Sequence, residues 1–177
     1  MRIATLIFTP LLLASSALST PTSQHDHNGI HDPRELNIRE IFSDFVHIFY
    51  DQRNYSLALN KYLAPDLIQH NPTLANGRDA EIAAVLSITK GYIPSVQIFM
   101  VDKNGIGPAA RSSNGSGASP DTAGFGMTYT RWTGEPGTGL PLTAVVDVYR
   151  IDHRGLLVEH WDAIEPLPAN TTNPDPF

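Results

Sequence analysis

Near the end of the chain two acid–base side chains, His160 and Asp162, stand two residues apart. In an extended strand alternate residues point the same way. Leu156, Val158, His160, Asp162 and Ile164 then share one face, and Leu157, Glu159, Trp161 and Ala163 the other. A carboxylate among apolar neighbours is costly to bury unless paired. Burial raises its pKa and a nearby imidazolium lowers it, and either effect can tune a general base. The same two residues also fit a structural ion pair, or a sheet rim in water. His70 closes the extended segment Leu67–His70. It either faces the same cavity or serves the structure. Asp147 shares a face with Val145, Tyr149 and Ile151, which places it at a cavity or at an interface. For Tyr149 and Trp161, core or interface packing is the default.

Other chemistries are excluded or unsupported. The chain has no Cys, which removes thiolate nucleophiles, thiolate zinc sites and iron–sulfur clusters. The Gly-x-Gly pairs at 105/107, 115/117 and 124/126 lack a third Gly, and neither a P-loop nor a Gly-x-Ser-x-Gly elbow is present. His25, Asp26, His27 and His31 carry a metal-binding spacing. They sit in a polar stretch that reads as a solvated tail. No metal and no cofactor is expected.

These residues need elements to position them. Asp32-Pro33-Arg34-Glu35 has the pattern of a capping box. Ile38, Ile41, Phe42, Phe45, Ile48 and Phe49 follow at helical spacing. A second helix is predicted over Ser56–Leu63, ended by a turn at Ala64-Pro65-Asp66. A third is predicted over Asp79–Thr89, with Ile82, Val85, Leu86 and Ile88 inward. The period then becomes strand-like over Tyr92–Val101, Phe125–Trp132, Leu142–Ile151 and Leu156–Ile164. Residues 103–123, dense in Gly, Ser, Pro and Asn, read as a surface loop, and Asp152-His153-Arg154-Gly155 as a tight turn. Helices followed by an antiparallel sheet is an α+β order.

The N-terminus has the pattern of a secretory signal: Arg2, an apolar run from Ile3 to Leu13, then Ala17-Leu18-Ser19. Cleavage near Ser19 and a secreted product are expected, with no membrane span in what remains. The net charge of −6 becomes −7 when Arg2 leaves, and with no basic cluster this argues against nucleic acid as a partner. Asn54, Asn114 and Asn170 begin glycosylation sequons. The expected organisation is signal 1–19, tail 20–31, one domain 32–168, and a terminal segment 169–177.

Two stretches resemble the SnoaL-like, polyketide cyclase-like branch of the nuclear-transport-factor-2-like superfamily. One is Tyr62-Leu63-Ala64-Pro65-Asp66-Leu67-Ile68-Gln69-His70-Asn71-Pro72 with Gly77. The other runs Val145–Ile151 and then Gly155–Asp162, ending in Glu159-His160-Trp161-Asp162. The resemblance implies a cone-shaped fold: a curved, mostly antiparallel sheet wrapped by three N-terminal helices, dimeric through the outer sheet face. It implies cofactor-free lyase, isomerase or aldol-type cyclase chemistry, with Asp162 as general acid/base and His70 and His160 as companions. Phe45, Phe49, Tyr129 and Asp147 are the expected pocket residues around a small apolar molecule. Members commonly carry a His on the central strand, and Phe125–Arg131 has none. A non-catalytic small-molecule pocket, or an interaction module around Trp161, are the competing readings.

Overall fold

Asn37 opens helix α1 (Ile38–Val46). Its side-chain oxygen accepts the Glu40 N–H at 3.3 Å, satisfying a donor that helix starts leave unpaired. The expected cap at Asp32–Glu35 lies outside the residues described by the computed structural model, which are 36–103, 122–173 and 176–177. So do the expected signal, the N-terminal tail, Asn114 and nearly all of the predicted loop. Ile38, Phe42 and Phe45 form the buried stripe of α1. The helix then widens into one π turn, His47–Asp51, where three consecutive side chains, Ile48, Phe49 and Tyr50, are buried. A regular helix would fan them about 100° apart. Widened turns of this kind often occur at functional sites, and here Tyr50 reaches the site described below.

Helix α2 (Tyr55–Tyr62) is capped by Asn54, whose side chain accepts the Leu57 N–H. The turn expected at Ala64–Asp66 is strand instead: Leu63 is already extended, and β1 runs Leu63–Gln69. Pro65 is tolerated because β1 is an edge strand. Helix α3 (Arg78–Ile88) buries Glu81 and half-buries Ile82 and Val85. Leu86 and Ile88, expected inward, are 47% and 46% exposed. Leu86 lies about 140° around the helix from Glu81, and Ile88 sits in the last turn at the cavity mouth.

The other strands are β2 (Tyr92–Asp102), β3 (Thr122–Gly134), β4 (Thr143–Asp152) and β5 (Leu157–Pro166). They form one open sheet in the order β1-β5-β4-β3-β2, antiparallel except where β1 runs parallel to β5. Register shifts interrupt every strand pair, and such bulges bend and twist a sheet. The result is an α+β cone-like fold with a mixed five-stranded sheet. Helix α1 comes unusually close to β3: a Cβ on Gly126 would stand 2.5 Å from the Phe42 ring, and one on Gly124 2.4 Å from Ile38. The core joins both layers, with Phe42 stacked on Phe99 and Phe45 edge-on to Tyr149.

The bulge between Arg150 and Ile151 corrects the simple alternation of β5. Ile151 pairs with Leu157 but Arg150 pairs with Glu159. Leu157, not Leu156 or Val158, therefore enters the core. Beyond the bulge, His160, Asp162 and Ile164 face the helices and Glu159 and Trp161 face away.

Candidate active site

Between α3, the π turn and the inner face of β3–β5 lies a cavity of about 140 Å³, measured as space for the centres of water molecules. About 10–15 Å³ on that measure holds one water, so the space suits a small organic molecule. Its walls are mostly apolar and aromatic: Phe49, Val85, Tyr92, Trp132, Val145 and Tyr149 are among them. Asp147, His160 and Asp162 enter from β4 and β5, and Glu81 from α3.

His160 is the centre of the polar network. It is 3% exposed, and its ring lies 4.3 Å from that of Tyr149 at 6° from parallel. Nε2 is 3.2 Å from Asp147 Oδ1 and Nδ1 is 3.3 Å from Glu81 Oε1. Burial opposes a charge on the ring, yet the hydrogen bonds and charges of Asp147 and Glu81 outweigh it and push the His160 pKa up to about 9. The ring is therefore an imidazolium at neutral pH.

Gln69, at the end of β1, completes this side. Its Nε2 donates to Glu81 Oε2 at 2.7 Å and lies 2.8 Å from His160 Nδ1, while its Oε1 accepts the Asn71 N–H at 2.8 Å. That last bond fixes which way the amide faces. With the ring charged, Glu81 accepts from His160 on one oxygen and from Gln69 on the other. With the ring neutral and its proton on Nε2, Nδ1 accepts from Gln69 instead. The 2.8 Å contact of Gln69 Nε2 with His160 Nδ1 is a hydrogen bond only in the second arrangement, because in the first both nitrogens are donors and share Glu81 as acceptor.

Asp147 has its own support. The Tyr50 hydroxyl donates to Oδ2 at 2.7 Å and lies 3.1 Å from Thr128 Oγ1. Burial, then the Asp147 charge, drives the Tyr50 pKa well above its ordinary value, so it stays a donor. Asp162 is opposite Asp147 in the register, and Asn71 Nδ2 donates to both its oxygens at 2.7 and 2.9 Å. The Tyr149 hydroxyl is likewise kept protonated, first by burial and then by the charge of Asp147. Asp147, His160 and Asp162 each offer a ligand atom within 4.8 Å of the others, the kind of set a divalent cation uses. Each of the three already holds protein hydrogen bonds, so the cluster closes on itself.

The structure brings four of the seven expected side chains to this cavity: His160, Asp162, Asp147 and Phe49. It separates three. His70 lies on the opposite face, stacked on Trp161 at 4.3 Å and 2°, with Nε2 3.0 Å from Glu159. The cause is the parallel pairing of β1 with β5, which sends Gln69 inward beside His160 and turns His70 out. Tyr129 also faces out, because the inward residues of β3 are the even-numbered Thr128, Thr130 and Trp132. Phe45 is fully buried and backs the wall against Tyr149 without reaching the cavity. Glu81, Gln69, Asn71 and Tyr50 were not expected. Glu81 had a readable signal: it lies one turn before Val85 on the inward stripe of α3.

No protein-family model matches the chain, and no curated protein does. Solved structures are similar to it at low identity. One described as a polyketide cyclase from Xanthomonas campestris is 12% identical, with a TM-score of 0.49 over 73% of this chain and 90% of that one. A steroid delta-isomerase from Pseudomonas aeruginosa is 16% identical, with a TM-score of 0.47 over 76% and 84%. A protein described as a SnoaL-like polyketide cyclase from Mesorhizobium loti is 18% identical, with a TM-score of 0.43 over 72% and 99%. What the chain is similar to is thus a set of SnoaL-like cyclases and isomerases, while the reading of its site rests on the side chains described above.

Proposed function

We propose that this protein binds a small, mostly apolar carbonyl compound in the cavity and moves a proton on it without a cofactor, as a lyase, isomerase or cyclase does. One observation carries the reading: Asp162 reaches a mostly apolar cavity beside the buried Asp147–His160 pair. Asp162 is the proposed base for the acidic C–H next to the carbonyl. Asn71 Nδ2 donates to both its oxygens and orients them, and each oxygen keeps a further lone pair for the proton. The Tyr149 hydroxyl, held protonated by burial, is the proposed donor to the carbonyl oxygen, where negative charge develops. His160 and Glu81 act through these groups. The imidazolium offsets part of the charge of three neighbouring carboxylates and holds Asp147 in place.

A second reading is a non-catalytic small-molecule pocket. It is favoured by the closed network, since both ring nitrogens of His160 and both oxygens of Asp147 already have protein partners. The two readings separate in one experiment. Small cyclic ketones are incubated with the protein in deuterium oxide, and incorporation next to the carbonyl is followed by NMR. Catalysed exchange above the buffer rate supports the first reading. Binding without exchange supports the second.

We also propose that the protein acts outside the cell. Arg2, the apolar run after it and Ala17-Leu18-Ser19 support this. Amino-terminal sequencing of protein recovered from culture medium checks it: a start near Thr20 is expected, and an intact Met1 contradicts it.

A further inference from the structure

The sheet has a second face, turned away from the helices, and the chain's own last residues lie on it. After β5 the Leu167 N–H donates to Leu142 O, just before β4, at 2.7 Å, and a turn within the segment follows, with Thr171 N–H donating to Pro168 O at 3.0 Å. At the far end the Tyr129 hydroxyl donates to Pro176 O at 3.3 Å, and the Phe177 ring stacks on that of Tyr129 at 6.2 Å and 24°. The Arg131 guanidinium lies 5.5 Å from the Phe177 ring, within the range of cation–π attraction. Between these anchors the segment borders Ala144, Val146 and Ala163, small apolar residues of the outer face.

The composition fits this role. Pro168, Pro174 and Pro176 limit the conformations open to the segment when released. They also remove N–H donors that a regular added strand would use. Elsewhere the outer face carries the charged cluster Arg150–Glu159–His70 and, beside it, an open apolar patch. Met100, Phe125, Met127, Val148 and Trp161 surround a depression there, and Ile98 and Met100 are 47% and 41% exposed. An exposed apolar patch of this kind is a docking surface when nothing covers it.

We infer that residues 167–173 and 176–177 are the resident occupants of the outer sheet face, and that by covering its Tyr129–Val146–Ala163 half they keep the chain from pairing with a second copy through that face. The chain has no Cys, so Thr172→Cys gives a unique site for a nitroxide label. In the full-length protein the label broadens the amide signals of Tyr129 and Val146 and spares those of α3. Sedimentation equilibrium gives a monomer for the full chain. It gives a twofold higher mass for a chain lacking 169–177, and a shift in the same direction for full-length Phe177→Ser. Absence of selective broadening overturns the inference, as does a full-length dimer, or a monomer in both variants.

Discussion

Glu81 Oε1 on α3 stands 3.3 Å from His160 Nδ1 on β5, and both side chains are almost fully buried. This contact ties the helix that walls the cavity to the strand that carries its acid–base groups. With Asp147 on the other nitrogen, it makes the charged ring the stable form. Replacing Glu81 with Gln removes one of the two stabilising charges. The His160 pKa should fall from about 9 toward its ordinary value, which titration of the imidazole NMR signals measures.

The same group sets a pH dependence of stability. The folded-state pKa of His160 lies above the unfolded value, so its contribution is fully present below about pH 6.5 and is lost as pH rises through about 9. The groups facing the ring are Glu81, Asp147, Gln69 and Tyr149. The full contribution is on the order of 3 kcal/mol. Urea unfolding at a series of pH values should show falling stability between these limits, and the slope should flatten in His160→Gln.

Close approach of α1 to β3 is a second quantitative claim. Gly126→Ala places a methyl group 2.5–2.6 Å from three atoms of the Phe42 ring. Phe42 is itself fully buried, so the ring has little room to move. Overpacking of this kind costs about 1–3 kcal/mol. A drop of that size in the unfolding free energy is expected, while Gly137→Ala should show no clash, because nothing lies within 4 Å of that Cβ; only its positive φ disfavours the change.

Tyr149 separates positioning from chemistry. Tyr149→Phe keeps the ring that stacks on His160 and removes the proposed donor to the carbonyl. Deuterium exchange into a bound ketone should slow by about 10²-fold or more, with ketone affinity changed much less. Equal loss of affinity and exchange would instead assign Tyr149 to binding.

The fold was legible where residue patterns are local and regular. The stripe Ile38, Phe42, Phe45, the alternation of β3 and β4, and the cluster His160–Asp162 all carry a clear period. What escaped depended on pairing. Nothing in Leu63–Gln69 announces a parallel partnership with β5, yet that pairing decides that Gln69 enters the site and His70 leaves it. The β5 bulge likewise moved Leu157 inward by shifting the phase one residue. Glu81 shares the inward stripe of α3 with Val85, but its charge outweighed that signal, because a charged residue on a helix reads as solvated until a buried partner is known. Tyr50 was hidden by the π turn, which buries a position that regular helical spacing turns elsewhere.

The central claim is that Asp162 takes the proton. The direct measurement compares deuterium incorporation next to the carbonyl of a bound cyclic ketone in the unmodified protein and in Asp162→Asn. Asn keeps the size of the side chain but cannot accept the proton. The variant should retain the fold and bind the ketone, and exchange should fall by about 10²–10⁴-fold. Exchange at an unchanged rate in a folded, ketone-binding Asp162→Asn variant would contradict the account.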